Sequence, residues 1–217
     1  AYCHALEDLQ QIKTLNHCHI FWQTVLNWLG ETEDPCVLSG EVGDEESLLQ
    51  RLIDARGISG LHYFYLHKLM LCYGFGEFSQ AIAHAAQARQ YLAGVTGFVV
   101  EGMFYFYDSL AALAQDTGEP SGAETVFQRV AENQAILAHW AQHAPMNYQH
   151  RYCLVEAERY RRLQDWVTAM DAYDRAIALA QEHGYLQDAA LAYELAAGCY
   201  LAWGKPIIAQ AYMVHAY

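Results

Sequence analysis

His139 and His143 lie four residues apart, the spacing at which a helix returns two imidazoles to one face, as a zinc site requires. The intervening Trp-Ala-Gln lacks the glutamate of a His-Glu-x-x-His hydrolase, and no third ligand is set by the sequence. Metal-assisted hydrolysis therefore ranks below a surface or packing role for this pair. The run His17-Cys18-His19 holds three metal-ligating residue types in a row, but neighbours on a helix point about 100° apart and cannot converge on one ion. Arg151, Arg161 and Arg162 form a local basic group able to hold a carboxylate or a phosphorylated side chain. The competing reading pairs them with Glu156, Glu158 and Asp165 on neighbouring turns. Two aromatic runs, Tyr63-Phe64-Tyr65 and Phe104-Tyr105-Phe106-Tyr107, suit a stacking surface and equally suit the packed space between helices. Gly74-Phe75-Gly76 reads as a hairpin turn, because it lacks the third glycine and the preceding strand of a nucleotide loop. Glu45 and Glu46 read as a polar helix start, where the macrodipole favours carboxylates. There is no Gly-x-Ser-x-Gly, no Walker lysine and no kinase catalytic loop. No catalytic residue, metal ligand or cofactor site is expected.

The elements that would position these residues follow from an internal repeat. Ala157, Tyr160, Leu163, Trp166, Ala169, Tyr173 and Ala176 are answered 40 residues on by Ala197, Tyr200, Trp203, Pro206, Ala209, Met213 and Ala216. Leu69, Cys72, Phe75, Phe78, Ala81, Ala85 and Ala88 occupy the same relative positions, as do Ala111, Ala114, Thr117, Pro120, Ala123, Phe127 and Val130. Spacings of three and four within each copy are those of a helix face, so each copy predicts two helices and a turn. Small residues at the crossing let the helices approach closely. The alanines at 81, 123, 169 and 209 are separated by 42, 46 and 40 residues, longer than the 34 of the tetratricopeptide consensus, but the Ala-x3-aromatic-x2-Ala core of that repeat is present. The expected fold is all-α, a tetratricopeptide-like α-solenoid of antiparallel helix hairpins.

With 217 residues, 54% hydrophobic content and four prolines, the chain reads as one continuous array over 1–217. Its hairpins are expected at 58–94, 95–145, 146–183 and 184–217, after an atypical N-terminal hairpin at 1–57. In that first part a helix is predicted from about Cys3 to Leu29, with Leu6, Leu9, Ile12, Phe21, Val25 and Leu29 on its apolar face. An acidic loop to Gly43 follows, then a helix capped by Asp44 and ending at Arg56-Gly57. Ser121 and Glu124 have capping-box spacing at the start of the helix that stops before Pro145. A formal charge of -13 disfavours nucleic acid as a partner. No apolar run has the ~18 residues needed for membrane insertion. The six cysteines show no Cys-x-x-Cys pair and read as small core residues in a reducing, cytoplasmic setting.

In such hairpins the first helices line the concave side, and the positions expected to face it can be counted from the small residue. They are Tyr63, Leu66, Met70 and Tyr73; Tyr105 and Asp108; Arg151, Leu154, Glu158, Arg161 and Arg162; and Glu194. The expected groove is aromatic at one end and basic in the middle.

The stretches His143-Ala-Pro-Met-Asn-Tyr-Gln-His150, Tyr193-Glu-Leu-Ala-Ala197, Tyr200-Leu-Ala-Trp-Gly204 and Ala209-Gln-Ala-Tyr-Met213, with Phe104-Tyr-Phe-Tyr-Asp-Ser-Leu110 and Tyr63-Phe-Tyr-Leu66, carry a resemblance. Over about 63–217 the chain resembles the helical segment of large bacterial hybrid signalling proteins that join a serine/threonine kinase, an ATPase module, a GAF sensor and a histidine kinase. The resemblance implies a connector between the ATPase and sensor modules of a longer parent, with every catalytic motif elsewhere. The expected function is a non-catalytic protein-interaction or relay module of signal transduction. Its partners would be proteins or peptides, including other modules of that parent. The alternative expectation is a small-ligand or peptide sensor built on the aromatic groove around Tyr63, Tyr73 and Tyr105.

Overall fold

A computed structural model describes residues 11–115 and 120–216, with the side chains of Pro120, Ser121 and Ala123 outside that description. Ten α-helices and one short 3-10 turn carry these residues, and no strand occurs among them. The chain divides into two compact units, Ala1–Ala111 and Ala112–Tyr217, where the sequence reads as one uninterrupted array. The division falls inside a helix, at a point that no change of composition marks.

The first unit contains α1 (Ile12–Trp28), α2 (Glu45–Asp54), α3 (Ile58–Gly74), α4 (Phe78–Gln90), the 3-10 turn Leu92–Val95 and most of α5 (Val99–Ala114). The second contains α6 (Pro120–His143), α7 (Pro145–Arg162), α8 (Trp166–Glu182), α9 (Leu186–Ala202) and α10 (Pro206–Ala216). The fourth residue of every repeat copy, Phe78, Pro120, Trp166 or Pro206, is the first residue of a helix. Proline suits that place because the first helical N–H has no partner to lose.

Helix ends are closed by one recurring device. The N–H of Glu77 reaches Cys72 O at 2.8 Å, Asp165 reaches Tyr160 O at 3.0 Å, Tyr185 reaches Ala180 O at 2.8 Å and Lys205 reaches Tyr200 O at 2.9 Å. Each bond requires a left-handed residue just before it, supplied by Gly76, Gln164, Gly184 and Gly204. Asp44 caps α2 by accepting from Ser47 N at 2.9 Å, as expected. The capping box at Ser121 and the part of the first helix before Gln11 fall outside the described residues.

Packing follows the alanines. Ala81, Ala85 and Ala88 are buried where α4 meets α3, and Ala169, Ala176 and Ala180 where α8 meets its neighbours α7 and α9. The first unit's core gathers Ile20, Leu38, Leu48, Leu52, Leu61, Phe64 and Leu71.

Helix α1 departs from its expected orientation. Phe21, Val25 and Leu29 were expected to face the core, yet all three are exposed, together with Trp22 and Trp28. The buried side of α1 carries Asn16, Gln23, Thr24 and Asn27 beside Ile20 and Leu26. The reason lies in the loop that follows. Asn27 Nδ2 donates to Pro35 O at 2.9 Å and Val37 O at 2.7 Å, while Gln23 donates to Ser39 O at 3.1 Å and accepts from Val42 N at 3.3 Å. A strandless loop lying on a helix needs side-chain partners for its backbone groups, and the amides of α1 provide them.

Candidate functional site

The groove positions divide between the units, Tyr63 to Asp108 in the first and Arg151 to Glu194 in the second. Most of them are not available to a ligand. Leu66, Tyr73, Tyr105 and Asp108 are buried, as are Arg151, Leu154 and Glu158. Tyr63, Met70, Arg161 and Arg162 are half-buried, and Glu194 alone of the twelve is exposed. The expectation that all of these face solvent is corrected by the packing of the first helices against neighbours on more than one side.

The aromatic end is close-packed. Tyr73 meets Phe78 and Tyr107 with ring centroids 5.9 Å apart in each case, and Tyr105 lies 5.5 Å from Phe104. Tyr63 packs on His17 at 4.9 Å and on Phe21 at 5.5 Å. The aromatic residues thus bury one another instead of lining a cavity. Asp108, with no exposed surface, accepts from Arg89 at 2.6 Å. The concavities that stand out lie beside α2, one among His19, Gln23, Leu38 and Leu48 and the other along Asp44, Glu46, Ser47, Gln50 and Asp54.

The basic middle is internally neutralised. Arg151 Nε donates to Asp188 Oδ2 at 2.9 Å, and its guanidinium lies over the Tyr185 ring at 5.5 Å. His150 Nε2 meets the same carboxylate oxygen at 2.8 Å, and the His150 ring stacks on Tyr185 at 4.4 Å. Burial works to raise the Asp188 pKa, but the His150 hydrogen bond and the Arg151 charge outweigh it and hold the carboxyl below its ordinary value. Arg161 makes a forked pair with Glu158, at 3.0 Å and 2.7 Å to Oε2, and Tyr173 also donates to Glu158. Arg162 donates to the carbonyls of Leu113 at 3.1 Å and Gln115 at 2.7 Å, closing the C-terminal end of α5. The pairing of Arg161 with Glu158 follows from their spacing of three. The partners of Arg151 and Arg162 are 37 and 47 to 49 residues away, and no local pattern shows them.

Buried ionisable groups elsewhere escaped the sequence reading. Lys68, in the middle of apolar α3, donates to both carboxylate oxygens of Glu45 at 2.8 Å, and Glu45 Oε2 also accepts from Leu38 N at 2.5 Å. His62 Nδ1 lies 2.9 Å from Ala88 O, while its Nε2 and His67 Nδ1 are buried without a partner. Burial lowers the pKa of His17 and His62 and brings His67 and His84 down to about 4. A lysine or histidine inside a run of leucines and tyrosines is the one signal that pointed there.

His139 and His143 share a face, with ring centroids 5.1 Å apart, and both are exposed. Among the described residues no group of three or more His, Cys, Asp or Glu side chains is placed to hold a metal ion. No helix among them is long and apolar enough to cross a membrane.

Comparison with protein-family profiles, with curated proteins and with solved structures returns no match.

Proposed function

We propose that the chain is a non-catalytic protein-interaction module, a tetratricopeptide-like stack of helix hairpins acting as a connector in a signal-transduction protein. The observation that carries this reading is the apolar face of the last hairpin. Leu201 on α9 and Ile207 and Val214 on α10 are exposed, Ile207 to 85%. Gly198 has nothing within 4 Å of where a side chain would begin, and Ala202 and Ala211 are exposed. Gly198, Leu201 and Ala202 share one face of α9 by spacing, as Ile207, Ala211 and Val214 share one face of α10, and such apolar faces suit a packed helix of another protein better than they suit water. The 40-residue repeat, with helices beginning at Trp166 and Pro206, supports the solenoid assignment. Polar groups inside the hairpins are committed to one another, as in Arg151–Asp188 and Arg161–Glu158, which fits a scaffold. The signalling context rests on the resemblance alone, and the cytoplasmic setting on the cysteine pattern.

Affinity capture with the purified chain, followed by titration of the captured protein, tests the proposal. Saturable binding that is lost in an Ile207→Glu, Val214→Glu variant of native helicity is the expected result. Saturable binding that survives both changes assigns the partner to another face. Absence of any protein partner, with a small molecule raising the melting temperature instead, would favour the sensor reading.

A further inference from the structure

Helix α1 buries its amides beside Ile20 and Leu26 and leaves a second apolar face half in water. Phe21 is 47% exposed, Trp22 45%, Val25 55%, Trp28 45% and Leu29 66%. At 100° per residue these five side chains fall within an arc of about 120°. Their accessible area is roughly 500 Å², within the range of the largest apolar patch on a monomer, which is often functional.

We propose that this face of α1 is a homodimer interface, in which two copies of the chain pack α1 against α1 in antiparallel register centred on Val25. Three observations select a second copy as the occupant. First, two such patches together remove about 1,000 Å² from water, the lower bound for a specific interface, so no other surface is required. Second, the chain carries -13, and two copies repel each other wherever carboxylates dominate. Within Ile12–Trp28 the only Asp, Glu, Lys or Arg is Lys13, so α1 is a surface on which the copies meet without that repulsion. Third, the patch is self-complementary. A two-fold axis at Val25 sets residue i of one copy opposite residue 50 minus i of the other, which brings Phe21 to Leu29, Trp22 to Trp28 and Val25 to Val25. Antiparallel packing also sets each helix N-terminus beside its partner's C-terminus, the favourable arrangement of their dipoles.

The polar inner face makes this arrangement irreversible within the monomer. Rotating α1 to bury its tryptophans would release Gln23 and Asn27 from Ser39, Pro35 and Val37, leaving the backbone of the loop without partners. The apolar arc is therefore held outward, preformed for association.

Sedimentation equilibrium of the 217-residue chain between about 1 and 100 µM tests the proposal, since interfaces at the low end of the size range are weak or transient. A monomer–dimer equilibrium is expected, with Trp22→Glu abolishing it while circular dichroism and melting temperature stay native, because Trp22 lies outside the core. Trp22→Glu combined with Trp28→Lys should restore association, since the two positions face each other across the axis. A chain that is monomeric at 100 µM overturns the proposal, and so does dimerisation that survives Trp22→Glu. Failure of the charge exchange to restore affinity overturns the antiparallel register.

Discussion

Acid should unfold the first unit through its buried histidines, and His67 allows the effect to be worked out. Its ring is 5% exposed, lies edge-on to Phe21 at 4.6 Å, and has a buried Nδ1 without a partner. Burial, helped by the nearby His62, brings its pKa from 6.5 down to about 4. The folded-state value is depressed, so protons bind the unfolded chain more readily. The stability contributed by neutral His67 is fully present above pH 6.5 and is lost as pH falls from 6.5 towards 4. With these two values the loss relative to neutral pH is about 1 kcal/mol at pH 5.5 and about 2 kcal/mol at pH 5. His17 and His62, also depressed by burial, add to it in the same direction below pH 6.5. The perturbation that isolates one residue is His67→Leu, which removes the titrating group and its unpartnered nitrogen while retaining apolar volume. Urea unfolding followed by tryptophan emission, at pH 7.5 and pH 5.5, measures both chains, with Trp22 and Trp28 reporting on the first unit. The wild type should lose about 1 kcal/mol more than the variant between the two pH values. Equal losses in the two proteins would refute the reasoning, since His67 would then titrate alike in the folded and unfolded states.

Other expectations follow from single sites. Gln164 holds φ at 59°, where the corresponding turns have Gly76 and Gly204, so Gln164→Gly should stabilise the chain by about 0.5–1 kcal/mol in a thermal melt. Arg161→Ala strands the buried carboxylate of Glu158 and should cost about 2–3 kcal/mol, part of which a second change, Glu158→Gln, should recover in the same melt. A methyl group at Gly74 would begin 2.0 Å from the Trp28 ring, so Gly74→Ala should drive that half-exposed ring off Phe75. The expected cost is about 1 kcal/mol with a red-shifted tryptophan emission. Burial pushes the Cys72 thiol up to about 12 and Cys199 to about 11, so both should react with a disulfide reagent at pH 8 at least about 100-fold more slowly in the native chain than in urea.

The sequence by itself determined the local architecture. The three-and-four spacing of the repeat copies predicted two helices and a turn in each, helices begin within them at Phe78, Trp166 and Pro206, and Gly57 and Gly76 stand at helix ends as read. These features depend on contacts between residues fewer than about eight apart, and periodicity and capping encode such contacts directly. It also paired Arg161 with Glu158, because three residues on a helix are one turn.

Tertiary structure decided which side of each helix is the inside. Counting from the small residue treated the first helices as half-solvated, but Leu66, Tyr73, Asp108, Arg151 and Glu158 are each enclosed by neighbouring segments. Hydrophobicity likewise assigned Phe21, Val25 and Leu29 to the core. The orientation of α1 was instead set by the loop at 35–42, four of whose backbone groups are satisfied by the amides of Gln23 and Asn27. A buried unsatisfied carbonyl or N–H costs about 1–3 kcal/mol, comparable with burying one large apolar side chain. Several such groups acting together outweighed the apolar pattern. That balance depends on where a distant loop comes to rest, and residue spacing along α1 carries no trace of it.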